Sequence, residues 1–140
     1  MDTKAIWWPA VAMAFLTFTV AVRMFRMRIG QIKREKIRLS TIATSSAAAE
    51  RLTDSRGADN YRNLFELPVL FYVALVVAAQ TNQVNALTLI LAWAFVAARF
   101  AHSYIHTTYN KVIHRFYAFV ASFFICAALW LALAIGLAMR

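Results

Sequence analysis

Four apolar runs divide the chain, and the stretches between them differ sharply in polarity. The first run extends from about Ala5 to Val22, with Trp7 and Trp8 near one end and Arg23 closing the other. That is just long enough for a helix to cross about 30 Å of hydrocarbon, with tryptophans at the level where aromatic belts form. Pro9 falls in the first turns, where a missing donor costs little. The polar residues beyond Arg23 favour continuation of the helix to about Ile32, Gly30 being the one breaker on the way. The stretch from Ser40 to Ala49, rich in Ser, Thr and Ala, fits either a short helix or a linker, and Gly57 is the clearest break before the second run. That second run is polar for two turns and then apolar from Leu67 to Ala79, and Pro68 predicts a kink or local loosening of the backbone beside Glu66. Helices are expected over about 5–32, 58–80, 84–108 and 115–139. The fold class is therefore all-α: a single domain, 1–140, forming an integral membrane four-helix up-down bundle.

Composition supports the membrane class. The chain has 140 residues, is 62% hydrophobic and has a mean hydropathy of +0.60, too apolar for an ordinary soluble domain. Its net charge is +9, and the distribution of its basic residues sets an expected orientation. Ten of the fifteen basic residues lie between Arg23 and Arg62, and Arg99, Lys111 and Arg115 flank the third connection, whereas only Lys4 and Arg140 fall on the opposite side. Both basic connections are expected in the cytoplasm and both termini outside. The same segregation explains the basic balance through lipid headgroups, with no aromatic-interleaved basic repeat to suggest nucleic acid as a partner. The single cysteine, Cys126, lies in an apolar run, which excludes an intrachain disulfide and a multi-cysteine metal site.

Two groups of polar residues at the edges of the apolar runs are candidates for chemistry. On a continuous helix Arg62, Asn63 and Glu66 fall at about 0°, 100° and 40°, on one face. Ionisable residues at such positions mark functional sites, although an Arg62/Glu66 pair that merely anchors the helix end fits the spacing equally well. Arg99, His102, His106 and Tyr109 fall at about 0°, 300°, 340° and 280°, within one stripe at the same end of the bundle, and Arg115 opens the fourth helix across a short turn. Several guanidiniums around one carboxylate suit a ligand with anionic groups and an ammonium, because arginine pairs bidentately with carboxylate while Glu66 accepts from an amine. The tripeptide glutathione is such a ligand, and an arginine beside its sulfur favours the thiolate. The His102/His106 spacing is weak evidence for zinc without the glutamate of a zincin, so no metal is assigned. A proton relay through His102, His106 and Glu66, as in a small transporter, is a further alternative.

These motifs resemble those of the family of membrane-associated proteins in eicosanoid and glutathione metabolism, MAPEG. Arg62-Asn63-x-x-Glu66 with Pro68 looks like its second-helix motif. Arg99-x-x-His102 with Arg115 looks like its third- and fourth-helix motif, closest to the prostaglandin-E synthase branch, alongside the microsomal glutathione transferases. The resemblance implies a homotrimer with sites between subunits. It implies that Arg62, Asn63, Glu66 and His102 hold glutathione, with Arg99, His106 and Tyr109 on the adjoining stripe. Arg115 takes the place that stabilises the thiolate, and Arg23, a looser match to the basic residue ending the family's first helix, is the second residue expected to be catalytic. The implied activity is a glutathione-dependent transferase or peroxidase acting on a lipophilic small molecule drawn from membrane lipid. A non-catalytic lipid- or partner-binding protein of the same fold is the alternative. The pattern departs from the family at Asp59, which stands for an arginine, at His106 and Phe119, which stand for tyrosines of the prostaglandin branch, and at Phe116, which stands for a polar residue.

Overall fold

In a computed structural model describing residues 3–139, a 3-10 turn over Thr3–Ile6 leads into α1, Trp7–Glu35. At 1.5 Å per residue its 29 residues extend roughly 43 Å, several turns more than hydrocarbon requires. Gly30 does not interrupt it. Pro9, Met13, Leu16, Val20 and Met24, three or four residues apart, form the buried stripe. The helix stops where Lys36 turns left-handed, with φ of 51°. Near that end the buried Gln31 donates to Glu35 and to Thr53 Oγ1, both at 3.0 Å, which ties the projecting end of α1 to the following connection.

The Ser/Thr/Ala stretch resolves into a 3-10 turn, Leu39–Ile42, and a short helix α2, Ser45–Arg51, whose first turn is capped by Thr44 Oγ1 accepting from Ala47 N. Next come α3, Arg56–Asn63, and α4, Leu67–Gln80. Gly57, expected as a break, lies inside α3 instead. Its lack of a side chain lets α3 approach α1, since a Cβ there would meet the Met24 Cα at 3.0 Å. The chain leaves helical geometry over Leu64, Phe65 and Glu66, where Glu66 has φ −98° and ψ −100°. Pro68 causes this: it offers no N–H to the Leu64 carbonyl, and its ring would collide with that oxygen in a continuous helix.

After the turn at 81–85, α5 spans Ala86–Thr107, opened by a capping box between Asn85 and Thr88. The last helix, α6, spans Val112–Ala138. The four segments Thr3–Glu35, Arg56–Gln80, Ala86–Thr107 and Val112–Ala138 are each long and apolar enough to cross a membrane. They form the four-helix membrane bundle expected from the sequence. α5 packs most extensively on α6, α1 packs on α3, and α3 with α4 meets α5 across the centre. The core is built on Phe71 stacked on Phe95, centroids 4.3 Å apart, with Met13, Leu75, Leu129 and Leu133 around them. Cys126 is one more buried packing residue. At the far end Gln83 lies against Gly136 and donates to the Leu133 carbonyl at 3.2 Å, fastening the α4–α5 turn to α6.

Candidate functional site

The basic end of the bundle is held together by arginines at a helix terminus. α5 ends at Thr107, and the carbonyls there receive Nη2 of Arg23 from α1 and Nη1 of Arg56 from α3. Cations at the negative end of a helix dipole satisfy both its orphan oxygens and its charge. Arg56 is itself oriented by a bidentate pair with Asp54, Nε to Oδ1 and Nη2 to Oδ2, both at 2.9 Å.

Over the last two turns of α5 the buried face carries Arg99, His102, Ser103 and His106, which meet groups of α3 and α6. Arg99 has no exposed surface. Its Nη2 donates to the Asn63 carbonyl at 2.7 Å, while Nε and Nη1 have no partner. In an unbroken helix that carbonyl would accept from Leu67, so the break before Pro68 supplies the acceptor that anchors Arg99. The ring of Phe119 lies 6.0 Å from the guanidinium carbon. Among the described residues no acid reaches Arg99 within ion-pair distance, the one such pair being Arg56 with Asp54.

Arg115 sets the hydrogen positions on both histidines. Its carbonyl accepts from His102 Nδ1 at 3.1 Å, so Nδ1 carries the hydrogen and Nε2, buried and without a partner, presents a lone pair. Its Nη1 donates to His106 Nε2 at 3.2 Å, so that ring carries its hydrogen on Nδ1, which is also buried and unpartnered. The same Nη1 donates to Asn110 Oδ1 at 2.9 Å. On α3, the fully buried Asn60 accepts from Ser103 Oγ at 3.1 Å through Oδ1 and leaves its Nδ2 donor without a partner.

Among the described residues all five buried side-chain nitrogen or oxygen atoms lacking a partner belong to this cluster: Asn60 Nδ2, Arg99 Nε and Nη1, His102 Nε2 and His106 Nδ1. Each such atom costs about 1 to 3 kcal/mol when nothing meets it, and their concentration at one place calls for a ligand or for water. Four are donors and one is an acceptor. With Arg99 buried and Arg115 in the first turn of α6, where the helix dipole is positive and no side chain caps the end, the cluster is built for negative charge.

The structure thus brings Arg99, His102, His106 and Arg115 together, and Asn63 joins them through its main-chain oxygen. Arg62 and Glu66 stand apart. Both are exposed, and the break between them ends the i,i+4 neighbourhood that a continuous helix would give. Arg62 lines a polar pocket of about 360 Å³ under the α1–α3 connection, with Arg28, Asp54, Ser55 and Asp59. Glu66 acts on Arg99 only through its charge, from beyond pairing distance. Tyr109 lies past the end of α5, exposed, with its hydroxyl 3.0 Å from His114 Nδ1, and so leaves the predicted stripe. Asn60, Ser103 and Asn110 complete the cluster without having been singled out from the sequence. Ser103 was reachable, since it lies four residues from Arg99 on the same face.

A family model described as MAPEG family matches residues 6–135, nearly the whole chain. The chain belongs to the MAPEG family. Comparison with curated proteins and comparison with solved structures each returned no match. This MAPEG protein is thereby a membrane protein of a family associated with glutathione and eicosanoid metabolism. Of the motif residues, Arg99, His102 and Arg115 meet between α3, α5 and α6, whereas Arg62 and Glu66 stand exposed outside that cluster. His106 accepts from Arg115, and the Phe119 ring lies 6.0 Å from both the Arg99 guanidinium and the His102 ring.

Proposed function

We propose that this MAPEG protein is a glutathione-dependent membrane transferase or peroxidase acting on lipophilic electrophiles. The observation that carries this reading is the buried Arg99 guanidinium, which has two unpartnered nitrogens and no acid within pairing distance. A buried cation left in that state is destabilising unless an anion arrives.

The donor set fits glutathione. Nε and Nη1 of Arg99 face different sides of the guanidinium and can each donate to an anionic or carbonyl oxygen, Asn60 Nδ2 and His106 Nδ1 donate to carbonyl oxygens, and His102 Nε2 accepts from an amide or a thiol hydrogen. When bound, glutathione supplies a sulfur nucleophile for an electrophile arriving from the bilayer. Arg115, at the positive end of α6, lowers the energy of a sulfur anion beside it, and this effect is largest in the reactive form. Phe119 sets an apolar ring 6.0 Å from the Arg99 guanidinium, and charge interactions gain strength in apolar surroundings.

In this reading the protein is a homotrimer and the thiol enters from the cytoplasmic side, where the basic residues gather. Subunit contacts would account for Arg62 and Glu66 lying on the outside of their own bundle, available to complete a site from a neighbour. Calorimetry with glutathione, followed by turnover with a chloronitrobenzene electrophile, tests the proposal: micromolar-to-millimolar binding with turnover supports it, and no binding refutes it. Phe119, an apolar ring at the guanidinium, favours one alternative, a protein that binds without catalysis. Binding without turnover would select that reading.

A further inference from the structure

The turn between α5 and α6 does more than reverse the chain. Asn110 has φ of 47°, a left-handed conformation that asparagine tolerates better than other residues with side chains, and its N–H closes α5 by donating to the Ile105 carbonyl at 2.8 Å. The same residue places Oδ1 2.9 Å from Arg115 Nη1, and His106 Nε2 accepts from that nitrogen at 3.2 Å. One nitrogen of a long, flexible side chain is therefore held from two elements, the turn and the last coil of α5. Both acceptors are neutral, so the clamp fixes the guanidinium without cancelling its charge. An acidic residue in either place would give a stronger bond and a weaker anion site.

We propose that Asn110 is a positioning residue for Arg115: with His106 it pins Nη1 and thereby sets where the remaining guanidinium edge faces. The inference rests on the proposed role of Arg115 toward a thiol. The left-handed backbone is what allows the assignment, because it carries the asparagine side chain back toward the first turn of α6. Nothing in the length or polarity of the turn requires asparagine for this purpose alone, since glycine would satisfy the same backbone.

That last point gives a clean test. Asn110→Gly keeps the left-handed turn and removes Oδ1, and Asn110→Asp keeps an acceptor at the same place but adds a charge. The full-length protein in detergent is treated with phenylglyoxal, and modification of Arg115 is followed by peptide mass spectrometry. The pH profile of turnover with glutathione is measured in parallel. Arg115 in Asn110→Gly should react several-fold faster than in wild type, as should Arg115 in His106→Phe, whereas Asn110→Asp should remain as protected as wild type. In the pH profile, Asn110→Gly should lose about tenfold at neutral pH, the equivalent of one hydrogen bond to a charged group, and Asn110→Asp should move to higher pH. A residue serving only the turn would leave Arg115 reactivity unchanged in Asn110→Gly and give Asn110→Asp the wild-type profile, and either result overturns the inference. If wild type shows no turnover, the proposed function fails, while the phenylglyoxal rates still decide whether the clamp exists.

Discussion

Arg99 on α5 and Asn63 at the end of α3 are joined by a bond from a buried guanidinium to a main-chain oxygen, 2.7 Å long, and the oxygen is free because α3 stops there. Pro68 is thus part of the site although it touches none of the chemistry. Pro68→Ala should let the helix run through residues 64–66, return the Asn63 oxygen to Leu67, and cost Arg99 its acceptor. We expect slightly more helix by circular dichroism and a fall of roughly ten- to a hundredfold in glutathione affinity, the range for one hydrogen bond to a charged group. Increased helicity with unchanged affinity would separate the break from the site.

Arg99→Met tests whether the cluster is maintained at the expense of stability. A buried cation without an acid beside it is costly, and an apolar chain of similar volume should leave the ligand-free protein as stable or more stable. Thermal unfolding in detergent should show an equal or higher midpoint for Arg99→Met, with glutathione binding lost. A midpoint several degrees lower would mean that Arg99 is a structural cation.

How much of this was legible in the chain follows from what the residues encode locally. Apolar runs of spanning length marked the four segments, because a helix needs about 20 largely apolar residues to cross the hydrocarbon and each run supplies them. The helical stripe of Arg99, His102 and His106 was legible for the same reason, α5 being regular through those positions. Tyr109 left the stripe because the helix ends at Thr107, and ends are poorly encoded here, with the closing bond coming from Asn110. The face shared by Arg62, Asn63 and Glu66 assumed a regular helix across a stretch that Pro68 breaks. Asn60 and Asn110 act through partners 43 and 5 residues away, and no local pattern announces such pairings. Gly57 signals a turn by composition but serves a close helix crossing, which only the position of Met24 reveals.

At the opposite end, Gly136→Ala would put a methyl group 1.9 Å from Gln83 Oε1. Gln83 is buried and bonded to the Leu133 carbonyl and to Thr81 Oγ1, so moving it gives up both bonds. We expect a loss of about 1 to 3 kcal/mol in unfolding experiments. Adding Gln83→Ala should relieve the clash, so the double variant should be no less stable than Gln83→Ala alone. A fully additive pair would contradict the contact.

The Asp54–Arg56 pair gives a pH dependence. The Arg56 hydrogen bonds hold the Asp54 carboxyl below the usual carboxylate range. A depressed folded value means that its contribution is complete above the unfolded value, about 3.9, and fades as the pH falls through the folded one. Both side chains are partly exposed, so the effect is small, at most about 1 kcal/mol. In hydrogen exchange, amides of the first turn of α3 should exchange faster in Asp54→Asn than in wild type at pH 6, and the difference should shrink as the pH falls below the usual carboxylate range. A difference that does not shrink with falling pH would assign the effect to something other than the charge.

A sulfur anion stabilised by Arg115 lies at the centre of the proposed chemistry, and a pH titration of the thiolate absorbance of bound glutathione reads that directly. In wild type the absorbance should appear at lower pH than for free glutathione. In Arg115→Ala it should move back toward the free value, and Arg115→Lys should recover only part of the difference, a point charge lacking the planar fork that Asn110 and His106 hold. Identical titrations in wild type and Arg115→Ala would contradict the central claim.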